Sequence, residues 1–260
     1  MRPFGSILGD FDYIDVSSVE GARCKMKNNF ASRLAIKLLG IPHVSLRTRA
    51  RKANPFLFGK KMLDAGCGAG VYSFTAQSKF ETIDAVDISK EKIDYAKSVN
   101  PYKNISFQEC DLCSLPFKDS SFDIILCTEV LEHIEDDKKA LKELSRVLLP
   151  GGKIIVTVPN MSKFHIKNQK AFFHVRAGYS LSDMEKMCEQ SGLKITYSEY
   201  FSFFLTELCS SINRHFVFNA YLLAFSFLFT YPISILAEKT LKFGEPNQLL
   251  VILEKSRYFA

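Results

Sequence analysis

No stretch of this sequence repeats at a fixed period and none is of low complexity, which excludes a solenoid, a propeller or a disordered linker as its organising principle. Met1 to Gly9 shows no charged stretch followed by an apolar run of signal-peptide length, so export is not expected and a cytoplasmic active face is. The seven cysteines are an odd number, and several fall in apolar runs, which argues against a disulfide framework. Cys110 and Cys113 form a CxxC without a second pair of cysteines or histidines at metal spacing, so they read as small loop or core residues rather than zinc ligands. Acidic residues are missing altogether from residues 21–61, which hold eleven Lys or Arg within a chain of net charge +6. That imbalance fits either a solvated surface around a helix at Phe30 to Leu39 or a basic arm for anionic lipid or RNA.

What is present is enough apolar sequence, 47% of 260 residues, to bury a full core, most simply one α/β domain with appendages. From Lys61 onward strands and helices alternate. Lys61–Ala65, Thr82–Asp87, Ile105–Gln108, Phe122–Cys127, Lys153–Val158, Leu193–Tyr200 and Gln248–Leu253 have the length and branching of strands. Val71–Lys79, Glu91–Val99, Lys138–Leu149 and Leu181–Ser191 have helical spacing, the last two stopped by Pro150-Gly151-Gly152 and by Gly192. This order predicts a doubly wound, mostly parallel sheet with ligands at the carboxyl ends of its strands.

Leu63-Asp64-Ala65-Gly66-Cys67-Gly68-Ala69-Gly70 lies between the first strand and the first helix, where glycine lets the backbone turn sharply and approach a ligand. Its glycines run GxGxG, not the GxGxxG of dinucleotide sites. Asp64 can face an ammonium group, Asp87 can take both protons of a ribose diol, and Asp111 can accept from an adenine amino group. One such Asp would be weak, because Asp is common in loops. Three at successive strand ends beside the glycines form a nucleoside site.

These residues, with Val86-Asp87-Ile88-Ser89, Leu115-Pro116-Phe117, Phe122-Asp123, Glu129-Val130-Leu131-Glu132-His133-Ile134 and Leu149-Pro150-Gly151-Gly152, resemble the class I S-adenosylmethionine-dependent methyltransferases. The likeness covers residues 61–200 and is to the group that carries the ubiquinone and menaquinone pathway enzymes. It implies a Rossmann-like sheet of seven strands with the last antiparallel, and a donor lying across the ends of the first, second and fourth strands. Asp64, Gly66, Cys67, Gly68, Gly70, Asp87, Ile88, Asp111, Leu112 and Thr128 would then line the donor site. It leaves the acceptor open, since the same core serves lipids, quinones, phenols, proteins and RNA.

Methyl transfer from a sulfonium needs positioning more than catalytic groups, with a base if the acceptor is a hydroxyl; His133, at the mouth of the fourth strand, is the candidate. Glu129, Glu132 and His133 stand at i, i+3 and i+4, which on a helical turn would point them to one face. They look like the ExxEH that binds metal in certain ubiquinone-pathway O-methyltransferases and in small-RNA 2′-hydroxyl methyltransferases, where a further histidine joins; His174 would be that residue, and Mg²⁺ or Mn²⁺ the ion. Arg176 and Tyr179 are candidates for the acceptor pocket.

Between the sixth and seventh strands lies an insertion far longer than a hairpin needs. Residues 216–237 carry no charge, and their length alone would span a bilayer. Pairing of the sixth and seventh strands would forbid a single crossing. Asn219, Ser226, Thr230 and Ser234 form a polar stripe, and Pro232 should kink or end the helix, so the expectation is a helix lying in the membrane interface, the alternatives being a lid packed on the core or a dimer contact. The domains expected are therefore a basic helical arm (1–60), the donor-binding core (61–200), the apolar helical insertion (201–246) and the final strand with its tail (247–260). The expected function is O-methylation of an apolar or lipid-linked acceptor by a peripherally membrane-associated enzyme. Rival readings are a metal-assisted RNA 2′-O-methyltransferase and a non-catalytic donor-binding scaffold.

Overall fold

A computed structural model describes residues 44–161, 175–215, 220–242 and 244–256, with residues 213–215 and 220–224 described by their backbone alone. The expected helix at Phe30 to Leu39 and the candidate ligand His174 lie outside the described residues. The chain divides into two compact units, one of Lys52–Phe201 with Pro246–Ala260, the other of Met1–Arg51 with Ser202–Glu245.

The first unit is built on one sheet of seven strands: β1 (Lys61–Ala65), β2 (Thr82–Asp87), β3 (Ile105–Glu109), β4 (Phe122–Thr128), β5 (Leu148–Pro159), β6 (Leu193–Phe201) and β7 (Gln248–Lys255). Their order is β3-β2-β1-β4-β5-β7-β6. All neighbours are parallel except β7, which runs antiparallel to both β5 and β6. The central strands are apolar on both faces, as a sheet covered on two sides requires; Ile125, Leu126 and Cys127 of β4 are fully buried. The order reverses between β1 and β4, the crevice where such sheets hold ligands.

Numbered along the chain, α1 (Val44–Ala53) precedes the sheet, and α2 (Val71–Ala76), α3 (Lys90–Val99), α4 (Asp137–Val147) and α5 (Leu181–Gln190) connect its strands. Their starts are set by short polar side chains: Ser89 accepts from the Lys92 N–H, Asp136 from that of Lys139, and Ser180 with Asp183 forms a reciprocal capping box. One expected boundary moves. The helix read as Lys138–Leu149 stops at Val147, and the strand read as starting at Lys153 starts at Leu148. Leu148 is extended and pairs with Phe122, and Pro150 pushes the residue before it out of the helical region as well.

Phe201 and Gln248 are cross-strand partners, so the chain leaves the sheet and re-enters it side by side. The residues between them supply α6 (Phe204–His215) and α7 (Ala220–Thr240), which pack together in the second unit. The pair is locked at its base by a carboxylate: Glu238 Oε1 accepts from the N–H groups of Ser202 (2.8 Å) and Phe203 (3.3 Å) and from Thr206 Oγ1 (2.6 Å). These are donors that the start of α6 would otherwise leave unmet, and negative charge is favoured there. Of the two outcomes expected at Pro232, a kink or an end, the helix α7 does not end there.

The polar stripe of α7 also faces the other way from expectation. Ser226, Thr230 and Ser234 are buried, while Phe225, Leu228, Phe229, Ile233 and Leu236 are exposed, each by more than half. The buried hydroxyls return to their own helix, Thr230 donating to the Ser226 carbonyl (2.9 Å) and Ser234 to that of Tyr231 (2.7 Å), and so need no water. In α6 likewise, Thr206, Cys209 and Ser210 are buried and Phe204, Leu208 and Ile212 exposed. Among the described residues no helix is long and apolar enough to cross a membrane.

Candidate functional site

The loop between β1 and α2 is shaped by three glycines with positive φ, Gly66 (80°), Gly68 (55°) and Gly70 (83°), a region that disfavours side chains. Their surroundings differ. A Cβ on Gly66 would come within 2.3 Å of Val130 and one on Gly70 within 2.7 Å of Phe107, so both glycines allow close packing inside the protein. A Cβ on Gly68 would meet nothing within 4 Å. Gly68 therefore borders open space, as a residue that lets the backbone approach a ligand should.

Asp87 ends β2 and organises this loop: its Oδ2 accepts from the Gly68 N–H (2.8 Å) and its Oδ1 from the Ser89 N–H (2.9 Å). Each oxygen keeps a lone pair, which suits the two hydroxyls of a ribose. The loop is tied down further by the N–H groups of Gly66 and Cys67, both bonded to the Val86 carbonyl. Because β3, β2 and β1 are neighbours, Asp111, Asp87 and Asp64 belong to consecutive strand ends in space as well as in sequence. Asp111 is exposed, its Oδ1 taking the Cys113 N–H (2.8 Å) in a turn. Beside Asp87, Ile88 holds an apolar side chain 72% exposed, the kind of surface on which a flat ring can lie.

Asp64 is 1% exposed. Burial, opposed by a hydrogen bond from Ser73 Oγ (2.6 Å) and reinforced by the nearby Asp87 charge, pushes its carboxyl up to about 7. Ser73 was not among the residues singled out from sequence. The available signal was a hydroxyl on the inward face of an otherwise apolar helix, nine residues after Asp64. Cys67, Leu112 and Thr128 are likewise buried.

The acceptor side departs from the expected geometry. Glu129, Glu132 and His133 do not share a helical face: Glu129 has φ 55°, outside any helix, and only Leu131–His133 forms a 3-10 turn. Glu132 is fully buried while His133 is exposed. The Glu129 carboxylate is taken up within the protein, accepting from Gln248 Nε2 (2.9 Å) and Thr157 Oγ1 (3.3 Å). Among the described residues no group of three His, Cys, Asp or Glu side chains is placed to hold a metal ion. The fourth expected ligand, His174, lies outside the described residues.

Tyr179, read as an acceptor-pocket residue, is instead fully buried and donates to Asp137 Oδ2 (2.8 Å). Arg176 stacks on its ring at 4.4 Å and pairs with Asp137 and Asp183. The N–H groups of Val175 and Arg176 bond the Glu132 carbonyl, so this segment braces the turn that presents His133. The described cysteines, Cys110 and Cys113 among them, are free thiols.

Comparison with known proteins gives the same outline. Residues 63–156 match a family described as a methyltransferase domain. The chain is 34% identical over 181 residues to an uncharacterized protein of Methanocaldococcus jannaschii, a match covering 67% of this chain and 69% of that one. It is also 34% identical over 124 residues to the ubiquinone biosynthesis O-methyltransferase of Coxiella burnetii, covering 47% of this chain and 50% of that enzyme. Among solved structures, an S-adenosylmethionine dependent methyltransferase from Mesorhizobium loti shares the fold at a TM-score of 0.57 and 17% identity, over 80% of this chain and 96% of the other.

Proposed function

The chain belongs to the class I S-adenosylmethionine-dependent methyltransferases, and from that premise we propose that it methylates an oxygen of an apolar or lipid-linked acceptor at a membrane surface. The observation that carries the acceptor class is the insertion: an uncharged run, residues 216–237, in the stretch that joins the cross-strand partners Phe201 and Gln248. Similarity to an enzyme named for ubiquinone biosynthesis supports the same class.

In this proposal Asp87 and the Gly68 backbone hold the donor's ribose, and Ile88 and Leu112 flank its adenine near Asp111. Asp64 faces its ammonium group, with Gly66, Cys67, Gly70 and Thr128 shaping the wall. The donor supplies a methyl group on sulfonium sulfur; the protein's part is to align it with the acceptor oxygen and exclude water. His133 is the base toward the acceptor hydroxyl, and the enzyme works on the cytoplasmic side as a peripheral membrane protein.

Purified protein, methyl-labelled S-adenosylmethionine and a crude cell extract test the acceptor class. Label is expected in the organic phase, undiminished by chelator; label confined to RNA would favour the RNA 2′-O-methyltransferase, and tight donor binding with no label anywhere a scaffold.

The raised Asp64 carboxyl yields a pH signature. Asp64 sits near 7 when folded against a reference of 3.8, so the folded protein holds a proton that the unfolded chain has released between those values. Stability from this group is full below about 4, declines as pH rises through the folded value, and then levels. Donor affinity should move oppositely, since pairing with an ammonium needs the carboxylate, falling by up to about tenfold per pH unit below neutrality. Calorimetric donor titrations and thermal melts across this range check both slopes, which Asp64→Asn should flatten. His133→Gln should instead lower kcat and leave donor affinity alone.

A further inference from the structure

From the inverted faces of α6 and α7 we infer that this helical hairpin seats its outer apolar face in the headgroup–acyl boundary of an anionic bilayer; the inference rests on the membrane-side reading above and specifies the surface.

A helix on the surface of a protein surrounded by water keeps its small hydroxyl residues toward water and its large apolar ones inward. Here the sorting is reversed on both helices. Small and hydroxyl side chains, Ser226, Thr230 and Ser234 on α7 and Thr206 and Ser210 on α6, are buried beside Phe227, while Phe225, Leu228, Phe229, Ile233 and Leu236 on α7 and Phe204, Leu208 and Ile212 on α6 are exposed. Helices packed within lipid are sorted this way, because hydrocarbon rewards no burial of apolar side chains and close approach favours small residues. An apolar stripe of this extent exceeds the scattered exposed residues that soluble monomers carry.

Charge complementarity selects an anionic membrane over a second protein. Residues 21–61 hold eleven Lys or Arg and no acid, and the described part Val44–Arg51, with Arg47, Arg49 and Arg51, belongs to the same compact unit as the hairpin. In that unit the Arg47 guanidinium lies over the rings of Phe227 (4.9 Å) and Tyr231 (5.3 Å). Lys239 and Lys242 stand exposed where the hairpin returns. Basic residues beside an apolar surface add attraction to anionic lipid. A protein partner would be met by a polar rim and hydrogen-bonding anchors, whereas the outer stripe, with Phe225, Phe229, Ile233 and Leu236, offers apolar side chains alone.

The probe is flotation of the full chain with phosphatidylcholine vesicles, with and without phosphatidylglycerol. Binding is expected to the mixed vesicles, weakened by salt. Phe225→Glu and Phe229→Glu should each reduce partition about tenfold or more, with melting temperature and donor affinity unchanged because neither side chain packs inside. Ser234→Leu should lower the melting temperature; were this face turned to water, it would leave stability alone and strengthen partition. Wild-type protein that fails to float, floats equally on neutral vesicles, or forms a dimer that Phe225→Glu dissolves would overturn the inference. Since flotation needs neither donor nor acceptor, its failure is distinct from failure of the methyl-transfer reading, which the labelled extract decides.

Discussion

Replacement of Asp87 by alanine is expected to weaken binding of S-adenosylmethionine and of its demethylated product by about a hundredfold. The carboxylate does two things at once: its oxygens accept from the Gly68 and Ser89 N–H groups, and their remaining lone pairs face the proposed ribose site. Charge-assisted hydrogen bonds of this kind are worth roughly 1.5–3 kcal/mol apiece, and truncation also leaves two backbone donors unmet. Asp87→Asn retains shape and one acceptor, but must turn an NH₂ toward one of those N–H groups, so a loss nearer tenfold is expected. Calorimetric titration with both ligands separates the cases. Affinity for Asp87→Ala within about twofold of wild type would mean that the residue only braces the loop and that the ribose lies elsewhere.

The second large effect contrasts two glycines in one loop. Gly66→Ala places a methyl 2.3 Å from Val130 at a φ of 80°, so overpacking adds to left-handed strain; a stability loss of about 3 kcal/mol is expected. Adding Val130→Ala should recover the overpacking portion and leave the strain. Gly68→Ala, at φ 55° with nothing within 4 Å, should cost the fold only about 1–2 kcal/mol. Its methyl nevertheless projects into the open space, so donor affinity should fall by about tenfold or more. Denaturant melts and donor titrations on the three variants check this. A Gly68→Ala protein that binds donor like wild type would show that the open space is not the donor's.

The strands were legible residue by residue where local pattern governs them. Lys61–Ala65 and Thr82–Asp87 have the bounds read from sequence, since each is a short apolar run closed by a glycine loop or an aspartate turn. The positions of Asp64, Asp87 and Asp111 at successive strand ends were legible for the same reason, since the pattern itself defines those ends. The acceptor side was not. Spacing suggests that Glu129, Glu132 and His133 share a face only if the segment is helical, and it is a loop with one 3-10 turn. What holds Glu129 is Gln248, a partner 119 residues away.

By itself the sequence determined the alternation of strands and helices, the glycine turn, the three acids at successive strand ends and the existence of an apolar insertion, because each depends on neighbours within a few turns of chain. Tertiary structure decided the rest. The place of β7 between β5 and β6, the burial that lifts Asp64, and the capture of the Glu129 carboxylate by Gln248 all come from contacts between distant segments. So does the sense of the stripe on α7: periodicity reveals that a helix has two unlike faces, but only the packing of α6 against α7, with Glu238 closing its base, decides that the polar face is the one turned inward.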